Sequence, residues 1–434
     1  MKKDLFLVTA LLLSLSGVAG AQNLKPITQE KATRLVKTLS ADDMQGRASF
    51  TPGGEKAADF IAAEFSKSKL KPLPGSSSFK QTFKVFRVTP HEVDVKLNGQ
   101  KVAPENVFAN TNYKELEWEA NTDERRIIPI TESENARDAM MHIFRMQEDA
   151  IVLVHPKHAE TFANYKRYLT RGGIVQETGK GASKVFILTD QASLQNYDIE
   201  IENKIEELQL TNVAGMIEGK RKDEFVVFSG HYDHIGTHKP IDGDTIANGA
   251  DDDASGTTAM MLLADFYQKQ RKPERTILFV AFAAEEIGGF GSRHFSQQFN
   301  PDQIVAMFNI EMVGKPSQFG PNSAYLTGFE KSNLGELMQK RLQGTGYSIH
   351  PDPYPKQNLF YRSDNATLAR LGVPAHTISS VQMDKDDTYH TVNDEFEMLD
   401  MAHLTSMIKG IALGSYDVVF GKATPTRVDK AQVQ

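Results

Sequence analysis

Cysteine is absent from this 434-residue sequence. No disulfide can staple the fold, and no thiolate can hold a metal. Stability must come from a core, and any metal site must use histidine and carboxylate. At this length the chain can bury one large core, or one core and a smaller accessory domain. A strong excess of one charge is also missing. Lys and Arg number 49 against 56 Asp and Glu, a net of −7. That balance carries no electrostatic footprint for nucleic acid or an anionic membrane. Long apolar runs are missing beyond the first residues, so no membrane span is expected. There is no internal repeat and no low-complexity tract. Hydrophobic residues at 40% and charged residues at 24% are ordinary for a globular protein.

The one apolar run, Leu5 to Leu15, is too short to cross a bilayer. Lys2 and Lys3 precede it, and Ala19-Gly20-Ala21 follows as a small-x-small cleavage signature. This order predicts an export signal over residues 1–21, a mature chain beginning at Gln22, and a periplasmic or secreted location. No cysteine stands beside the cleavage site to carry a lipid.

Beyond it, the chain divides into stretches of different character. Ala32, Leu35, Val36 and Leu39 fall at helical spacing and predict a helix over 28–39. A turn-rich stretch from Gly46-Arg47 to Gly53-Gly54 follows, then a helix carrying Ala57, Phe60, Ile61 and Phe65. Pro72, Pro74 and Gly75 with a serine run mark a boundary. From about 79 to 205 the pattern is mixed and β-rich. Val93, Val95 and Leu97 alternate into Asn98-Gly99, a hairpin signal, and a helix is expected over Ala159–Leu169. No compact group of chemistry-bearing residues lies there. From about 206 to 422, hydrophobic strands alternate with helices. The strands are placed at Glu224–Ser229, Thr276–Ala283, Val305–Ile310 and Ala375–Ser379, and the helices at Ala254–Tyr267, Leu334–Leu342 and Met398–Ala412. This predicts an α/β fold: a central mixed, mostly parallel sheet with helices on both faces, built from 22–78 and 206–422. Residues 79–205 form a smaller inserted domain, and 423–434 a C-terminal tail.

Ligands of open α/β sheets gather at the carboxyl ends of the strands. Four such ends run into polar residues: His231-Tyr232-Asp233-His234, Glu285-Glu286, Glu311, and Asp387-Thr388-Tyr389-His390. Asp251-Asp252-Asp253 opens a helix between the first two. Each piece alone has an ordinary structural reading. Paired glutamates suit a solvated loop, an aspartate run suits helix capping, and a single histidine suits hydrogen bonding. His234 and His238 stand four apart, but Gly236 and Pro240 argue against a helical zinc pair there. With Asp242 and Asp244 they read as residues of the loop after the first candidate ligand. The joint occurrence points elsewhere. Two histidines and three carboxylates at different strand ends make a shell for two divalent cations, and zinc suits such a sulfur-free set. Paired cations polarise a carbonyl and activate water, a further carboxylate acts as general base, and Glu285-Glu286 can supply both a ligand and the base.

Taken together, His231-x-Asp233, Gly-Ala-Asp-Asp-Asp-Ala-Ser-Gly, Glu285-Glu286-x-Gly and Tyr389-His390 resemble the M28 family of co-catalytic zinc aminopeptidases. The resemblance covers the two N-terminal helices and most of 211–420. It implies two zinc ions and peptide substrates. His231 would bind one zinc, His390 and Glu286 the other, and Asp252 would bridge them, joined to Asp253 by a cis peptide bond. Glu285 would be the general base. Asp233 would orient His231, and Tyr389 would stabilise the oxyanion. Glu311 departs from the family pattern, which has aspartate as the last ligand of the His231 metal. Ser363-Asp364-Asn365 departs too, where many relatives have histidine third. Residues 79–205 occupy the place of a protease-associated insertion, which implies a cover over the cleft. Other exopeptidase or dipeptidase action and glutaminyl cyclisation remain open on this fold, as does a non-catalytic binding protein on a peptidase scaffold. Nothing in the sequence sets the oligomeric state.

Overall fold

The strand Arg221–His231 is the axis of the molecule. In the computed structural model it lies between two parallel neighbours, Arg275–Phe282 and Ile304–Ile310. Ala375–Ser379 extends the parallel set beyond Ile304–Ile310, and Ser323–Leu326 and Ser348–Pro351 complete that side. On the other side, Arg275–Phe282 pairs antiparallel with the long strand Tyr197–Ile217. The structure describes residues 22–121 and 125–433, so the expected export signal lies outside the described residues. No helix among the described residues is long and apolar enough to cross a membrane.

Each central strand is an unbroken apolar run because both of its faces are covered. Alternate side chains divide between two cores. Val226, Phe228, Ile277, Phe279 and Phe308 pack under Gln29–Leu39, Pro52–Lys67, Gly256–Gln268 and Met401–Gly414. Phe225, Val227, Leu278, Val280 and Phe282 pack on the opposite face with Phe295 and Leu368. Phe228 sits in register with Phe279 and Phe308, and its ring stacks on theirs at 5.6 and 5.1 Å. The two N-terminal helices begin where their caps place them. Thr28 accepts from Lys31 N, and Thr51 accepts from Gly54 N with Pro52 at the first helical position. The alternating strands and helices expected from the sequence are thus present, with ends shifted by a few residues.

Residues between the N-terminal helices and the central strands leave the sheet on a two-stranded arm. Lys80–Leu97 and Tyr197–Ile217 pair antiparallel along almost their whole length. Asn98 and Gly99 both take positive φ, 49° and 80°, the conformation a two-residue hairpin turn demands. The boundary expected near 205 falls inside Tyr197–Ile217, because that strand runs unbroken from the arm into the central sheet. The insertion also holds more helix than its β-rich sequence suggests. A four-stranded sheet ordered Val107–Asn110, Lys184–Leu188, Ala150–Val154, Arg126–Ile130 carries the helices Ala136–Arg145 and Ala159–Leu169. Its apolar clusters are its own, around Ile151 and Val185 on one face and Val152 and Phe186 on the other.

One buried side chain ties the N-terminal turn to the carboxyl end of the sheet. Arg47 is 0% exposed. Its Nε donates to the carbonyl of Tyr232 at 2.7 Å, its Nη1 to Leu39 and Asn248 at 2.6 and 2.5 Å, and its Nη2 to Gly249 at 2.9 Å. The planar guanidinium thus clamps the loop after His231 to the loop before Asp252. Lysine, with a single point charge, cannot span these acceptors. Asp394 completes the frame by accepting from the backbone N–H groups of Asp251 and Asp252, both at 3.0 Å. Replacing Arg47 with Met leaves several buried carbonyls without a donor, each costing about 1–3 kcal/mol. Arg47→Met is therefore expected to lose about 3 kcal/mol or more of unfolding free energy, read as a lower urea midpoint. An unchanged midpoint would show that the clamp contributes nothing to stability.

Candidate metal centre

The carboxyl ends of three adjacent strands supply the centre. Arg221–His231 ends on His231, Arg275–Phe282 runs through Ala283-Ala284 into Glu285-Glu286, and Ile304–Ile310 runs into Glu311. Asp252 enters from the segment that opens Gly256–Gln268, and His390 from the loop after Ala375–Ser379. The backbone turns sharply at these places. Ala284, Met312 and His390 hold positive φ of 61°, 50° and 56°, which non-glycine residues adopt seldom. The peptide bond between Asp252 and Asp253 is cis, as the family resemblance implies.

Asp252 faces two ways. Its Oδ1 lies 3.2 Å from His231 Nε2, and its Oδ2 lies 3.2 Å from His390 Nε2. Glu286 Oε2 lies 3.1 Å from the same His390 nitrogen. Donor atoms of His231, Asp252 and Glu311 all fall within 4.8 Å of one another, and so do those of His234, Asp252 and Glu286. Ligands about 2.0–2.1 Å from a tetrahedral zinc stand about 3.3 Å apart, and the 3.1–3.2 Å separations among His231, Asp252, His390 and Glu286 match that spacing. Two orphaned atoms make the same point: His231 Nε2 and Asp252 Oδ1 are buried and have no hydrogen-bond partner. The residues fit zinc, and Glu311 reaches the group despite its extra methylene.

The surrounding hydrogen bonds orient this set. His231 Nδ1 lies 3.1 Å from the main-chain oxygen of Asp233. A carbonyl can only accept, so Nδ1 carries the proton and Nε2 presents its lone pair to the cation site. Asp233 reaches His231 through its main-chain carbonyl. The Asp233 carboxylate instead accepts from the backbone N–H groups of Glu285 and Glu286, at 3.0 and 3.3 Å, and holds the turn that carries both. Burial, reinforced by Glu286 and opposed by His231 and those N–H groups, pushes Asp233 up to about 6. Asp253 ties three segments together, accepting from the N–H groups of His231, Gly256 and Met312. Burial raises Glu285 well above the usual carboxylate range, with Glu311, Asp364 and Glu286 adding to it against His231.

Tyr389 stacks on His390 with ring centres 3.9 Å apart, and its hydroxyl accepts from Arg362 at 3.4 Å. It lines a small cavity with Glu311, Met312, Tyr325, Leu359 and Val381. The structure thus gathers His231, Asp252, Glu286, Glu311 and His390 into one centre, with Asp233, Glu285 and Tyr389 around it. It also brings in His234, which the sequence alone leaves in a loop. His234 is buried with its Nδ1 2.8 Å from Glu286 Oε1, while His238 is exposed on the hairpin strand Gly236–Ile241. Arg47 and Asp394 are likewise silent in the sequence, because their partners lie far away along the chain. Burial pushes Asp364 up to about 7 in a setting where Asp233 and Glu311 act with it and His231 and Ser292 against it.

Residues 212–413 match the family model of Peptidase family M28. A probable zinc metalloprotease of Pyrenophora teres f. teres is 35% identical over 128 residues, covering 29% of this chain and 27% of that protein. Leucine aminopeptidase 1 of Metarhizium robertsii is 28% identical over 193 residues, covering 41% of this chain and 47% of its own length. The chain thus matches less than half of the length of either relative. A zinc aminopeptidase from Bacillus subtilis shares the fold, with a TM-score of 0.57 at 17% identity across 93% of this chain and 98% of that one. The match to Peptidase family M28 thus lies in residues 212–413, the stretch that holds His231, Asp252, Glu286, Glu311 and His390.

Proposed function

We propose that this protein is an aminopeptidase that uses two zinc ions to release residues from the N-terminus of peptides. The observation that carries the reading is the Asp252 carboxylate, with one oxygen turned to His231 and the other to His390. A single cation site needs no such two-sided group, whereas a pair sharing one ligand does. His231 and Glu311 would hold one ion, His390 and Glu286 the other, and Asp252 both. Ions held there would supply Lewis acidity to the scissile carbonyl and to the attacking water.

The chain's own residues account for the rest. Glu285 stands beside the shared centre, held by its backbone on Asp233. Its side chain accepts no hydrogen bond among the described residues, which leaves its oxygens available to water and substrate. Glu285 would take the proton from water and pass it to the leaving amine. Tyr389, on the wall of the small cavity beside Glu311, would donate to the developing oxyanion, and the cavity mouth would receive the side chain of the departing residue. Tyr168 and Ile174 of the insertion line an opening with Phe50, Ile287, His234 and Glu286. This narrows the approach and supports action at chain ends over action in mid-chain. The export signal read at residues 1–21 would place the reaction outside the cytoplasm.

Glu285→Gln is expected to retain zinc, measured by elemental analysis, while kcat falls about 10²–10⁴-fold or more. A Gln variant with wild-type kcat would remove Glu285 from the base role. Peptides with a free N-terminus are expected to be cleaved, and their N-acetylated counterparts are not. Equal cleavage of both sets would overturn the aminopeptidase reading, because that reading requires a free amine.

A further inference from the structure

We infer that His234 is a positioning residue for the second cation site, holding Glu286 so that one carboxylate oxygen only faces the ion. The inference rests on the two-cation reading. His234 lies deep in the protein, its side chain 0% exposed. Its ring packs against Gly249, where a Cβ would come within 2.6 Å of Cγ and Cδ2. Gly249 also has φ of +58°, so both its backbone and its missing side chain make room for the imidazole. The ring therefore has one seat.

Two roles are open to a histidine in that seat, and distances separate them. As a ligand, Nδ1 would stand from its neighbours as His231 and His390 do from theirs, at 3.1–3.2 Å. The observed separation from Glu286 Oε1 is 2.8 Å, the length of a charge-assisted hydrogen bond. Nδ1 is 3.8 Å from Asp252 Oδ2, too far for a second bond. The remaining nitrogen, Nε2, is buried without a partner, which suits a lone pair and leaves the proton on Nδ1. Glu286 therefore has its oxygens assigned. Oε1 accepts from His234, and Oε2 faces His390 Nε2 at 3.1 Å, on the cation side. Without His234 the carboxylate could rotate or chelate through both oxygens, and the second ion would lose its fixed place. Partners of this kind typically carry 10–100-fold in metal affinity.

The test compares three substitutions. His234→Asn places an amide N–H near the position of Nδ1, His234→Gln places it near Nε2, and His234→Leu removes it while keeping bulk against Gly249. Zinc-loaded wild type and variants are dialysed against a graded chelator series, and zinc per chain is read by elemental analysis, with the melting temperature of each metal-free protein as the folding control. Wild type and His234→Asn are expected to hold two zinc ions with affinities within about threefold of each other. His234→Gln and His234→Leu are expected to release one ion at about 10–100-fold lower chelator strength and to keep the other. If the Leu variant does not fold, the Gln and Asn pair decides. Retention of both ions by the Gln variant at wild-type affinity would make His234 a packing residue only. Loss of the ion from the Asn variant as readily as from Gln would make the ring itself the requirement, and both results overturn the inference. Fewer than two ions in the wild type would sink the two-cation reading, and this inference with it.

Discussion

Negative charge crowded into a dry space is the constraint on which this structure turns. Asp233, Asp251, Asp252, Asp253, Asp364 and Asp394 are all buried at one end of the sheet, with Glu285, Glu286 and Glu311 beside them. Burying one unpaired carboxylate is costly, and burying several side by side adds their mutual repulsion. The fold answers with oriented donors. Backbone N–H groups point at Asp233, Asp253 and Asp394, and Lys315 reaches Asp386 at 2.6 Å on the flank. Arg47 provides the one fully buried guanidinium among the described residues of the centre, yet it spends its hydrogen bonds on carbonyls and not on carboxylates. Its charge acts at a distance while its geometry fixes two loops. Asp252, Glu286 and Glu311 are the carboxylates that the proposed cations would balance.

This arrangement explains which features can be read from the sequence. The central strands are legible because burial on both faces leaves an apolar run with no alternation, as in Arg275–Phe282. The helices Leu334–Leu342 and Ala159–Leu169 are legible because each keeps one apolar stripe, and the structure places both where their periodicity does. The residues around the centre stand out because strand ends are where polar side chains follow apolar runs without a turn sequence between. His231, Glu285-Glu286 and Glu311 share that property.

What the sequence does not disclose is pairing across long separations. Arg47 reads as part of a turn, and nothing local says that its partners are Tyr232, Asn248 and Gly249. His234 reads as half of an i, i+4 pair that glycine and proline forbid. Its true partner, Glu286, is 52 residues on. Asp233 is recognisable as a neighbour of His231, but only the backbone path shows that its carbonyl serves the histidine while its carboxylate serves the Glu285-Glu286 turn. The long strand Tyr197–Ile217 is hidden for another reason. Its outer half alternates on an exposed arm and its inner half is buried, so a single element carries two patterns and looks like a boundary.

The same long-range wiring bears on how the centre keeps its shape. Two proposed ligands are held from distant segments, Asp252 by Arg47 and Asp394 through its backbone and Glu286 by His234, while His231 is held from its own loop by the Asp233 carbonyl. His390 has the weakest hold, stacked on Tyr389 and 38% exposed in its side chain. The site is thus rigid on the sheet side and open on the cleft side, where Tyr389 and the cavity beyond it meet solvent. A centre whose chemistry is preorganised gains from rigidity at the reacting groups, because no reorganisation is then required as charge develops. Mobility is tolerable only where substrate enters. The insertion stands at the edge beside His234 and Glu286 through Tyr168 and Ile174. Differences in that edge can alter which peptides reach the centre while the ligand framework beneath stays as the sheet, Arg47 and the strand ends have set it.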